Sequence, residues 1–114
     1  MTHYMKLRPL PFSGIASGRK TIELRLLDEK RRRIRVGDTL IFSNTDDDTA
    51  TLTCAVRALY VFANFDDLYR ALPLEKCGYL PEEVSRASAK DMEQYYSAQE
   101  QALYGVIGIE IELQ

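Results

Sequence analysis

Gly18-Arg19-Lys20-Thr21-Ile22-Glu23-Leu24-Arg25-Leu26 is the stretch on which the reading of this chain turns. Gly18 sits where a helical turn ends in a left-handed residue. From Thr21 onward polar and apolar residues alternate, the period of a β-strand. Ile22, Leu24 and Leu26 then face the core, while Thr21, Glu23 and Arg25 share the opposite face. Glu23 and Arg25 are two apart on that strand, so they leave one face about 7 Å apart at the backbone. Lys20 stands where the strand leaves the glycine turn and leans over the same face. A lysine, a glutamate and an arginine thus converge beside a tight turn. Arginine offers a planar fork to phosphate or a base edge, and glutamate accepts from an exocyclic amine. An ordinary ion pair on a solvated strand face is the other reading of the same spacing.

Working outward, residues 4–8 alternate with Met5 and Leu7 on one face and read as a short strand that Pro9 and Pro11 break. Residues 12–17 read as a single helical turn. Residues 28–37 form a charged loop ending in Val36-Gly37-Asp38, a turn signal ahead of a strand over 39–42. The Asp46-Asp47-Asp48 run reads as a solvated hairpin tip. A long strand over about 50–62 follows, with Leu52, Cys54, Val56 and Tyr60 expected on one face. Asn64 is an N-cap, Asp66 and Asp67 complement the helix dipole, and Pro73 ends that helix. A second helix is expected near Ser88, with a fresh start at Ser97, whose partner Glu100 completes a capping box. Residues 106–113 close the chain as a strand with Ile107, Ile109, Ile111 and Leu113 on one face. Five strands with interspersed helices, and no β-α-β alternation, predict an α+β fold: a mixed, mostly antiparallel β-barrel with short flanking helices. In it Leu24, Phe42, Val56 and Ile109 share one core.

The chain has 114 residues, 46% hydrophobic and 28% charged, which predicts one domain over residues 1–114. No apolar run reaches the roughly 18 residues of a membrane span. The first residues lack the apolar stretch of a signal peptide, so a cytoplasmic location is expected. With one histidine (His3) and two cysteines (Cys54 and Cys77) in no Cys-x-x-Cys pair, a zinc site lacks ligands. The aspartate run lacks the glycine and closing glutamate of a calcium loop. No metal and no cofactor are expected. The formal charge of −2 hides an asymmetry. Residues 1–35 net about +7 and the remainder about −9, which suggests a local anionic partner. The alternative is that the acidic part folds against the basic part. Lys30-Arg31-Arg32-Arg33, with Arg35, is a basic loop beside the Glu23 strand that suits phosphate contacts; partial pairing with Asp28 and Glu29 is its plainer reading. Tyr95, Tyr96 and Tyr104 offer rings on which a base can stack, although helical spacing assigns at least one to the core.

The run Gly-x-Lys-x-x-Glu-x-Arg, here Gly18 to Arg25, resembles the signature of ASCH domains, relatives of the PUA fold. The order around it is similar too: Pro11-Phe12 before it, Val36-Gly37-Asp38-Thr39-Leu40-Ile41-Phe42 after it, and Tyr104-Gly105-Val106-Ile107-Gly108-Ile109 near the end. The resemblance implies a PUA-like barrel whose cleft binds RNA or a modified nucleoside, with Lys20, Glu23 and Arg25 on its floor. Arg8, Thr21, Arg31, Arg32 and Arg33 are expected in support, the partner is RNA or a nucleoside or nucleotide, and a monomer is expected. Bacterial acetylcytidine amidohydrolases of this family carry Gly-Arg-Lys-Thr-Ile-Thr-Ile-Arg, with the lysine, the second threonine and a later glutamate active. Here Lys20 and Arg25 are kept, Glu23 replaces that threonine, and Glu75 is the candidate for the later glutamate. The alternative function is therefore a small hydrolase, amidohydrolase or ribonuclease, with Lys20 and Glu23 catalytic in the same cleft.

Overall fold

In the computed structural model, which describes residues 1–114, the alternating segments form one five-stranded sheet in the order β1-β3-β4-β5-β2. The strands are β1 (Thr2–Leu7), β2 (Ile22–Leu26), β3 (Thr39–Asn44), β4 (Asp47–Phe62) and β5 (Val106–Leu113). β1 runs parallel to β3 and every other pair is antiparallel, so the sheet is mixed but mostly antiparallel. It curls into a half-barrel flanked by helices α1 (Pro9–Ala16), α2 (Phe65–Ala71) and α3 (Ala98–Tyr104). The parallel pair follows from the long crossover through α1 and β2; hairpin connections cannot make one. No helix is long and apolar enough to cross a membrane.

Local chemistry accounts for the ends of these elements. Pro9 starts α1 instead of merely ending β1, because proline suits a first turn whose N–H groups have no partner. The helix is accordingly longer than the single turn expected over residues 12–17. Gly18 follows its C-cap at φ +81°, a left-handed conformation that glycine adopts without strain. The Asn64 side chain caps α2 by accepting from the Asp67 amide at 2.8 Å, and Ser97 with Glu100 caps α3 reciprocally. Ser88 starts a 3-10 turn, Ala89–Gln94, rather than a full α-helix. The acidic run is divided: Asp46 lies in the hairpin turn, while Asp47 already pairs with Asn44 and opens β4.

Two apolar clusters form the core. Met5, Ile15, Leu40, Phe42, Cys54, Val56, Ile107 and Ile109 belong to the first, and Ile22, Leu24, Leu26, Phe65, Leu68 and Val106 to the second. Leu24 therefore does not share the core of Phe42, Val56 and Ile109. The β2–β5 register gives the reason: Leu24 pairs with Gly108, while Glu23 pairs with Ile109 and Arg25 with Ile107. Paired residues share a face, so Glu23 and Arg25 lie on the first cluster's side. Gly108 lets Leu72 approach the sheet closely, since a Cβ there would stand 2.8 Å from Leu72 Cδ1. A second difference arises in β4, where Arg57 is an extra residue between Val56 and Ala58. Such a bulge reverses the phase of alternation. Leu59 consequently packs on the first cluster, and Tyr60 turns to the other face to donate to Glu110 at 2.9 Å.

Candidate functional site

The glycine turn places Lys20 two residues ahead of β2, and backbone bonds pin the motif on several sides. The Lys20 amide donates to the Gly14 carbonyl (2.9 Å), and the Thr21 and Ile22 amides both donate to the Lys76 carbonyl (2.9 Å each). The Lys20 stem runs between two glycines: a Cβ on Gly14 would lie 3.3 Å from its Cβ, and one on Gly78 would lie 3.4 Å from its Cδ. Arg19 closes this channel by donating from Nη1 to the Gly78 carbonyl at 2.9 Å.

At the end of the channel Lys20 Nζ meets Glu23 Oε1 at 2.7 Å, and Arg25 Nε donates to Glu23 Oε2 at 2.6 Å. Glu23 is only 3% exposed and Lys20 9%. Arg25 has a further task. β1 and β2 are the two edges of the open sheet, and Arg25 Nη2 reaches across to the Lys6 carbonyl at 2.7 Å. The guanidinium thus ties the cleft floor to the far edge of the half-barrel. Burial pushes the Glu23 carboxyl up, but the charges and hydrogen bonds of Lys20 and Arg25 outweigh it and hold the group below its ordinary value. Burial lowers the Arg25 pKa, and Glu23 more than restores it. The nearby Cys77 thiol is pushed up to about 11 by burial, against the pull of Lys20, so it is a poor nucleophile at neutral pH.

The triad opens into a cleft of about 620 Å³. Lys6, Arg8 and Arg19 add positive charge along it, so five cations face three carboxylates, Glu23, Glu83 and Asp91. The opposite wall is tyrosine-rich. Tyr69 and Tyr79 hydroxyls lie 2.6 Å apart, and Tyr79 donates to Asp91 Oδ2 at 2.7 Å. Burial, then the bonds to Tyr69 and Asp91, raise the Tyr79 phenol far above its ordinary value, so it serves as a neutral donor. Tyr95 and Tyr96 complete the wall.

Of the residues expected from sequence, Lys20, Glu23, Arg25 and Arg8 come together in the cleft, along with Tyr95 and Tyr96. Thr21, Glu75, Tyr104 and Arg31–Arg33 are not among its lining. Thr21 acts through its backbone, and Glu75 is exposed elsewhere. In the basic loop Arg31 pairs with Asp28 at 2.9 Å, Arg32 donates to the Tyr104 carbonyl at 3.2 Å, and Lys30 donates to the Tyr4 carbonyl at 2.6 Å. Sequence reasoning did not find Arg19, Gly78, Tyr69, Tyr79 or Asp91. Gly78, three residues before Pro81, signals a turn, but nothing local signals that the turn closes over Lys20.

No curated protein matches the chain. Among solved structures, the hypothetical protein PH0355 is similar over the whole of both chains, at 32% identity and a TM-score of 0.82. Protein PF0455 from Pyrococcus furiosus is similar at 31% identity over 99% of this chain and 97% of its own, with a TM-score of 0.68. A mutant of ZmASCH from Zymomonas mobilis shares the fold at 13% identity, over 97% of this chain and 67% of its own, with a TM-score of 0.64. The ASCH domain model matches residues 5–114, which include the Lys20–Glu23–Arg25 triad and nearly all of the sheet, and the chain belongs to the ASCH domain family.

Proposed function

We propose that the cleft binds RNA or a nucleoside and does not turn it over. The observation that carries this reading is the buried triad, whose donors are only partly spent. Lys20 has one protein acceptor for its three N–H groups, and Arg25 uses Nε and Nη2 but not Nη1. Those remaining donors suit a phosphate or a base carbonyl, and the excess of cations along the cleft attracts an anionic ligand. Hydrolysis is less well served. Glu23 has both oxygens engaged and a lowered pKa, so it is a weak general base near neutral pH. Lys20, held on Glu23, acts as a donor.

Incubation with acetylated cytidine and with single-stranded RNA, followed by chromatography and a binding titration, tests this. Lys20→Ala should weaken binding by roughly 1.5–3 kcal/mol, the range for a hydrogen bond to a charged group. The variant should still fold, because Arg25 continues to pair with Glu23. Lys20→Arg should rescue only in part, since a planar fork does not replace a compact ammonium. Steady product formation that disappears in Lys20→Ala would replace the binding module with a hydrolase.

A further inference from the structure

We propose that Arg8 and Tyr95 form a clamp at the rim of the cleft that takes one planar nucleobase between the guanidinium and the phenol ring. This rests on the cleft's being a nucleoside or RNA site, and it assigns the base its own subsite. The two residues come from different elements: Arg8 is the N-cap of α1, and Tyr95 is the C-cap of the 3-10 turn Ala89–Gln94. Both line the cleft, and Arg8 Cζ stands 5.8 Å over the centroid of the Tyr95 ring.

Backbone bonds hold both residues in place. The Arg8 carbonyl accepts from the Phe12 amide at 3.0 Å, and the Tyr95 amide donates to the Met92 carbonyl at 3.0 Å. The Arg8 side chain makes no hydrogen bond or ion pair, so its contact with Tyr95 is uncommitted. The other tyrosines of the wall are occupied: Tyr69 and Tyr79 bond to each other, and Tyr96 stacks on Phe65 with centroids 6.3 Å apart. Tyr95 is 49% exposed and meets Tyr96 only in a tilted contact, with centroids 6.4 Å apart. A base inserted at stacking distance from both partners needs about 6.8 Å, twice the ~3.4 Å base spacing, so the pair must open to admit it. Stacking on one side and cation–π attraction on the other favour any planar base, and a larger ring system most.

The test compares adenosine 5′-monophosphate with ribose 5-phosphate, which lacks the base, by calorimetric titration of the whole chain. Wild type should bind the nucleotide more tightly by roughly 5- to 150-fold, the value of stacking one base. Tyr95→Ala should bring that ratio close to one, Tyr95→Phe should keep it, and Arg8→Lys should reduce it by removing the planar cation. A ratio in Tyr95→Ala equal to that of wild type would overturn the clamp, as would an equal weakening of both probes. If neither probe binds wild type, or Lys20→Ala leaves ribose 5-phosphate binding unaltered, the cleft reading itself fails and takes the clamp with it.

Discussion

Glu23→Gln isolates the electrostatics of the site. The carboxylate is 3% exposed and holds two cations, Lys20 at 2.7 Å and Arg25 at 2.6 Å. An amide keeps the shape, but it removes the charge and turns a donor toward one of the two cations. Breaking a buried pair from one side costs roughly 3–5 kcal/mol, because the partner charge is left buried and uncompensated. Domain stabilities are only ~5–15 kcal/mol, so the urea midpoint should fall by on the order of 2 M. The Arg57–Glu112 pair is an internal control: its members are 52% and 60% exposed, and Glu112→Gln should leave the midpoint nearly unchanged. The effect also has a signature in pH. Glu23 titrates below its unfolded value of about 4.5, so its contribution is present above that value and is lost as pH falls through the lower folded one. Wild type should therefore lose stability on acidification from pH 5 more steeply than Glu23→Gln, and the two should converge at low pH. A loss below about 1 kcal/mol at pH 7, or parallel acid limbs, would show that water rather than the triad satisfies these charges.

Gly78 lies at φ +116°, and a Cβ there would touch Lys20 Cδ at 3.4 Å. Gly78→Val should cost roughly 1–2 kcal/mol in urea unfolding from backbone strain alone. It should also weaken ligand binding by displacing Lys20; unaltered affinity would mean that the channel does not position the ammonium. In the basic loop Arg31 is already matched by Asp28, whereas no protein group engages the Arg33 side chain. Arg33→Ala should therefore lower the salt slope of RNA binding by about one, while Arg31→Ala should lower it less. Equal effects would make the loop a diffuse patch.

Much of this fold was legible because period-2 alternation is a local property. Residues 106–113 form a strand with the bounds expected from Ile107, Ile109 and Ile111, and Asn64 and Ser97 cap their helices where their side chains predict. Tyr60 was misplaced because one extra residue reverses a strand's phase, and nothing near Arg57 announces it. Alternation also separated the two faces of β2 correctly but did not show that both would be covered. Glu23 is buried because the sheet curls, and curling depends on strands distant in sequence. Likewise, Arg25 spans to Lys6 only because β1 and β2 end at opposite edges of the sheet. The tyrosine wall was invisible for a similar reason: Tyr69 comes from α2, Tyr79 from the loop after it and Asp91 from the 3-10 turn Ala89–Gln94.

The carboxylate at position 23 decides what such a cleft can do. A hydroxyl there would leave Lys20 and Arg25 as two uncompensated charges at low exposure. Glu23 supplies the missing negative charge, neutralises one cation, and orients both donors. The floor then carries one net positive charge with its N–H groups fixed in direction. Preorganised donors of this kind bind an anion or a carbonyl without reorganisation, whether or not chemistry follows. Neither Glu23, held acidic by its two cations, nor the Cys77 thiol, pushed up by burial, is poised to take a proton at neutral pH. The residues already in place thus suffice for the recognition we propose, with Glu23 spent on orienting two donors instead of taking a proton.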